Sequence, residues 1–413
     1  MKNKKTVLGI IALITAMAVF ACTQKQQHDD GSDFNVEPVE GGKSLRITKY
    51  AETKQAVRIP MQIYQFPVTH IGDKVFMRKN LISVTVADNI ISIGDSAFEN
   101  NLLINATVGN KVASIGNNAF KENQLTKVAI PSSVTSIGDG AFEKNQLTSV
   151  TIGRKVAAIG NNAFRENQLA KVTIPNSVTS IGEGAFSKNR LTKVTIPASV
   201  SSIGTGAFTG NMEMTAINVS SGNPGYSAVD GVLYNKEGIA LLHWPAGKPG
   251  AVAIPSNVTY IWDEAFKDNQ MTGSLAIPDN VIFIGNSVFV GNQLTSVTIG
   301  NNVASIGNGA FDGNHLTSIT IGNSVTSIGT SVFSNNQLTN ITIPGNVRHV
   351  GDYAFHGNNL TSITIGADVT LSDRYSFGMI GFVSFYNRNG KKAGTYTMSL
   401  DRWGYNIWSY SAE

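Results

Sequence analysis

The sequence holds one cysteine in 413 residues, Cys22, so no intramolecular disulfide and no multi-thiolate metal site is available to it. Histidine is scarce as well. His28, His70, His243, His315, His349 and His356 do not share a position in the pattern described below, and they read as isolated surface side chains. HExxH, P-loop, GxSxG and EF-hand spacings are missing. No catalytic residue, metal or cofactor is therefore assigned, and the chain is not expected to be an enzyme. Charge is thin: between Asp279 and Arg348 the one charged residue is Asp312, which is poor ground for acid–base chemistry. The formal net charge of +4 is modest for this length. No basic stretch is interleaved with aromatics in the way nucleic-acid binding requires.

Long apolar runs are missing too, with one exception. Val7 to Val19 follows Lys2, Lys4 and Lys5, is too short to span a bilayer, and has the make-up of a signal-peptide core. It ends at Val19-Phe20-Ala21-Cys22, which resembles the lipobox of bacterial lipoproteins. That resemblance implies removal of residues 1–21, acylation of Cys22 and a stable lipid anchor in the cell envelope, at the outer membrane or cell surface. The alternative is an ordinary secreted protein with a stray cysteine. Residues 22–42 then comprise the lipidated Cys and a polar, flexible tether.

What is abundant is repetition. Phe recurs every 22 residues from Phe76 to Phe208, and again from Phe266 to Phe377 with a single spacing of 23. Gly stands four before Phe in eleven of thirteen units, the exceptions being Trp262 and Asp373, and Asn stands three after it in eleven. The consensus reads N-x-L-T-x-V-T-I-[PG]-x-x-V-x-x-I-G-x-x-A-F. Val and Ile two apart place apolar groups on one face of a strand and Ser or Thr on the other. Pro or Gly ends that strand. The V-x-x-I-G piece is a second short extended segment, whose Gly signals either positive φ or close backbone approach. A 22-residue unit buries too little to fold alone and must stack on its neighbours.

These residues resemble the BspA-type leucine-rich repeat family over about residues 43–380. The resemblance implies a mainly β leucine-rich repeat solenoid of about 13 coils, with the Asn column turned inward to satisfy backbone groups at a bend. It also implies adhesion to host matrix proteins, host cells or other bacteria. The expected organisation is an N-cap and first repeat block (43–210), a longer repeat with a β-hairpin (211–250), a second block (251–380) and an aromatic C-terminal cap (381–413). In the longer repeat, GVLY and IALLHW flank NKEG, the mark of a hairpin. SLRITKY (44–50) reads as a capping strand. In the last segment the aromatics around NRNGKKAG alternate like a second hairpin, covering the open edge of the last coil.

Scaffold columns are fixed by packing, so a partner must be read through the columns that vary. On the outward face of the long strand that position is Lys127, Lys171 and Lys193 in the first block, and Ser or Asn in the second. Adjacent strands would set Lys171 beside Lys193 at ~4.8 Å. The alternative reading is that these lysines serve only solubility. Tyr234 and Trp244 of the hairpin are a second candidate contact surface, against the reading that the hairpin is a spacer. The partner expected is a protein or glycan, such as extracellular matrix, and not nucleic acid. Two other readings stay open: a carbohydrate-active β-solenoid enzyme, and a purely structural envelope protein.

Overall fold

A strand-forming segment that ends in Pro or Gly every 22 residues can only coil, and each turn of the coil needs the next to cover its apolar side. The computed structural model, which describes residues 31–372, 375–378, 381–401 and 406–412, is a β-solenoid of about 15 turns. The proposed signal peptide and Cys22 lie outside the described residues.

Three ladders hold the coils together. The Phe column is fully buried, and the rings from Phe76 to Phe208 stack with centroids 4.9 to 5.9 Å apart. The short S-I segments pair in parallel and in register, as in Ser114–Ile115 on Ser136–Ile137, within one sheet running from Phe34–Val39 to Ser202–Ile203. The Asn column is buried and clips coil to coil. The Asn167 amide donates to the carbonyls of Phe142 (2.9 Å) and Phe164 (3.0 Å), while its oxygen accepts from the Leu147 N–H (3.0 Å). The bend that would strand three backbone groups is thereby satisfied.

The glycine column marks close approach. A Cβ on Gly182 would fall 2.5 Å from the Asn161 nitrogen of the coil before, and its φ lies outside the left-handed region. The left-handed positions are elsewhere, two residues either side of Phe: Asn162 (φ 53°) and Glu166 (φ 54°) flank Phe164.

Both ends are closed. Phe34–Val39, placed by the sequence in a flexible tether, is a strand antiparallel to Ser44–Tyr50, and Phe34, Tyr50 and Phe76 pack ring against ring. Its alternate apolar residues give it a buried face that a tether would not need. At the other end a helix, Phe382–Arg388, precedes a hairpin of Gly394–Leu400 and Asn406–Ser411, and the first of these strands pairs antiparallel with Ser362–Ile365. NRNGKKAG (387–394) is thus the helix end and its exit, not a hairpin turn. Phe382, Tyr386, Tyr396 and Trp408 are buried there; Trp403 and Tyr405 lie outside the described residues.

The longer repeat divides the core in two. Tyr226–Val229, Val232–Asn235 and Ala240–His243 form an antiparallel trio that opens a second nine-stranded sheet. The middle strand is shared: Leu233 packs into the first apolar cluster, and Val232 and Tyr234 into the second. No helix among the described residues is long and apolar enough to cross a membrane.

Candidate binding surface

Lys127, Lys171 and Lys193 are exposed on the outer side of the long-strand segments. Their frame is less regular than the spacing predicts. Lys127–Ala129 pairs with Ser149–Thr151 and Lys193–Ile196 with Ala216–Val219, but residues 171–174 join no strand ladder. Lys171 and Lys193 are therefore not rungs of one paired sheet. A slot of about 490 Å³ opens between Thr151 and Thr173, with Arg154 in its lining.

Several charges elsewhere on the coils are paired. After Phe120, Phe142 and Phe164 the turns carry adjacent charges of opposite sign, and Lys144 bridges to Glu122 (3.0 Å), Lys188 to Glu166 (3.3 Å) and Lys121 to Glu143 (2.8 Å). Glu143 is buried and also lies 3.6 Å from Arg165. Among the described residues no ion pair involves Lys127, Lys171 or Lys193, and no group of three metal-ligating side chains forms a site.

Sorting charges by column exposes a wider feature. From the Asn column through the long strand to the next Gly, the five coils spanning 101–203 carry Lys111, Lys127, Arg154, Lys155, Lys171, Arg190 and Lys193 and not one Asp or Glu. All seven are exposed. The acids of these coils sit on the other half, as at Glu122, Asp139, Glu166 and Glu183. The cations are scattered over five coils in the linear sequence, so the segregation shows only when the repeats are aligned.

The aromatic pair of the hairpin does not form a contact surface. Tyr234 is 4% exposed and Trp244 is 7% exposed. Trp244 stands 22 residues before Phe266, stacks on it at 5.5 Å, donates its N–H to the Ala265 carbonyl and accepts at its own carbonyl from Asn269. It is a member of the Phe column. His243, taken for a surface residue, fills the adjoining Ala column and is buried, and desolvation lowers its pKa to about 4.

A profile of the BspA type leucine rich repeat region matches residues 69–189, 135–227 and 259–382, in six copies. No curated protein matches at a significant level. A leucine rich cell surface protein from Faecalibacterium prausnitzii A2-165 is 27% identical, with a TM-score of 0.60 over 88% of this chain and 97% of that one. The pneumococcal vaccine antigen PcpA is 22% identical, with a TM-score of 0.52 and coverage of 82% of each chain. A leucine-rich repeat protein from Eubacterium ventriosum ATCC 27560 is 24% identical, with a TM-score of 0.50 over 80% of this chain and 94% of that one. These last two likenesses speak to the fold.

Proposed function

The chain belongs to the BspA-type leucine-rich repeat family, and from that premise we propose that it is a lipid-anchored cell-surface protein that adheres to an anionic macromolecule. The observation that carries this reading is the acid-free half of the coils from 101 to 203. Seven exposed cations stand there, while Lys121, Lys144 and Lys188 on the turns after Phe are engaged in ion pairs with Glu143, Glu122 and Glu166. Such a face focuses potential and steers an acidic partner. Because the solenoid is held by three ladders, the cations are placed without the ordering of a loop. The cell-surface description of the F. prausnitzii relative supports the location, and the lipobox-like Cys22 supplies the means of anchoring. Acidic protein segments and sulfated matrix glycans both present the required chemistry.

The test is capture of the soluble fragment 31–413, which keeps the Phe34–Val39 strand, on immobilised matrix proteins and on heparin. Binding that falls as salt rises supports the reading; no binding to either surface at low salt sinks it. A purely structural envelope protein would give that second result.

A further inference from the structure

In the first block the turn that carries each Phe is joined to the next coil by three backbone hydrogen bonds, and at Phe208 all three are lost. In the six coils from Phe76 to Phe186, the N–H two residues before Phe, that of Phe and that two residues after it donate forward. Gly184, Phe186 and Lys188 thus reach the carbonyls of Thr205, Ala207 and Thr209 at 3.0, 2.8 and 2.8 Å. Gly206, Phe208 and Gly210 hold the same positions, and their N–H groups find no acceptor among the described residues. By position the answering carbonyls would be those of Leu241, His243 and Pro245. The strand Ala240–His243 is instead paired on one edge with Val232–Asn235 and on the other with Tyr260–Ile261. The Leu241 carbonyl accepts from Trp262 (2.9 Å) and the Pro245 carbonyl from Lys248 (3.1 Å). The ladder resumes with Trp244, which donates to Ala265 (2.8 Å).

Two cavities lie along this edge, of about 340 and 250 Å³, and Thr205 and Gly206 line both. The larger has apolar walls at Ile203, Phe208, Leu233, Leu242 and Trp262. Trp262 stands in the place of the column's Gly and is 47% exposed, so it borders solvent. Thr205, Tyr226 and His243 also line this cavity and offer an occupant further hydrogen bonds. The smaller cavity is charged, with Lys188, Glu264, Lys267 and Asp268 in its lining. Thr209 lines it too, is 4% exposed, and its hydroxyl has no hydrogen-bond partner. Phe208 is 1% exposed, so its N–H is withdrawn from bulk solvent. Buried backbone donors without acceptors are costly and rare in folded chains, and here they occur in a row.

We propose that a peptide segment of a protein partner docks on this edge, its carbonyls accepting from Gly206, Phe208 and Gly210 and one apolar side chain entering the larger cavity. The three donors need acceptors at alternate residues. A polypeptide backbone supplies them, as Thr205, Ala207 and Thr209 do for the coil before. A glycan carries no backbone carbonyls to match that interval. Unpaired ladder edges are where peptides add to a fold, with main-chain bonds giving affinity and side-chain pockets giving selectivity. The site is independent of the cations on coils 101–203, and its hydrogen bonds and apolar contact are not screened by salt.

The test pans a displayed library of random peptides against fragment 31–413 at high salt, where attraction by the exposed cations is screened. Peptides with a large apolar residue are expected to be enriched. When bound, they should slow hydrogen exchange at the amides of Gly206, Phe208 and Gly210 and leave Gly184, Phe186 and Lys188 unchanged. An ester scan along the peptide weakens one carbonyl acceptor at a time. Affinity should fall roughly two- to tenfold at alternate residues, the scale of one hydrogen bond. Trp262→Ala removes an exposed wall of the cavity and should weaken binding roughly three- to tenfold. No enrichment at high salt, binding that leaves the three amides unprotected, or wild-type affinity in Trp262→Ala each overturns the proposal. Any of these beside intact salt-sensitive capture on heparin fails the junction and leaves the cationic surface standing.

Discussion

The Asn167 carboxamide donates to the Phe142 carbonyl of the preceding coil at 2.9 Å, and this single contact is repeated with little change at nearly every turn. It joins the two columns that define the repeat. Replacing Asn167 with Ala leaves the carbonyls of Phe142 and Phe164 and the N–H of Leu147 buried without that partner. At 1–3 kcal/mol for each unsatisfied group, the expected loss is roughly 3 kcal/mol or more. Urea unfolding of fragment 31–413 measures it. A change below about 1 kcal/mol would mean that water replaces the side chain there.

Phe164 tests the other column. It is fully buried, with the rings of Phe142 and Phe186 at 5.5 and 5.4 Å. Phe164→Ala should destabilise by about 3–5 kcal/mol. Neighbouring coils should lose hydrogen-exchange protection with it, since each coil is stable only through its neighbours. An unchanged melting curve would contradict the stacked-ring core.

The period, the inward Phe and Asn columns and the solenoid were legible because packing imposes them at every turn, so that coincidence is averaged away. The junction was not legible for the same reason. Trp244 holds a Phe position 36 residues after Phe208, but the change of ring type and the irregular spacing conceal its membership. Tyr234 looked like a surface aromatic because hairpins normally keep one wet face. Its strand is instead walled by a core on each side, which removes the alternation that would have shown burial. The strand at 34–39 was masked by the acids Glu37 and Glu40 on its open side. Lys171 was correctly placed on the surface but not in a ladder, a difference for which the structure offers no side-chain cause.

Acid should loosen the junction through His243. Its pKa in the folded chain is depressed from 6.5 to about 4 by desolvation. As pH falls, the unfolded chain therefore takes up the proton first. Stability is full above pH 6.5 and declines as pH falls toward 4, by at most ~3 kcal/mol. His243→Leu should flatten that part of the profile. Melting temperature followed from pH 7 to pH 4 in both proteins checks this, and parallel curves would remove His243 from the acid response.

The anchor is tested at Cys22. Cys22→Ser should abolish palmitate labelling and move the full-length protein from the detergent to the aqueous phase on phase separation, since no helix among the described residues could hold it in a bilayer. Retention of the mutant in the detergent phase would dismiss the lipoprotein reading.

The lysine column yields the prediction closest to function. Lys127, Lys171 and Lys193 are exposed, carry no ion pair among the described residues, and stand where the second block has Ser296, Ser318 and Asn340. Changing all three to Ser makes the first block resemble the second and removes no packed or hydrogen-bonded group, so the melting temperature should hold. Four of the seven cations on that half remain, Lys111, Arg154, Lys155 and Arg190, so binding should weaken without vanishing. Attraction between exposed charges is screened beyond about 10 Å at 0.1 M salt. The mutant should therefore differ most from wild type on heparin at low ionic strength, with a shallower dependence of affinity on salt, and the two should converge as salt rises. A second substitution set, Arg154 and Lys155 to Ser, should add to the effect if the whole half-coil is the surface. Wild-type affinity in the triple mutant at every salt concentration would move the contact off the long strand.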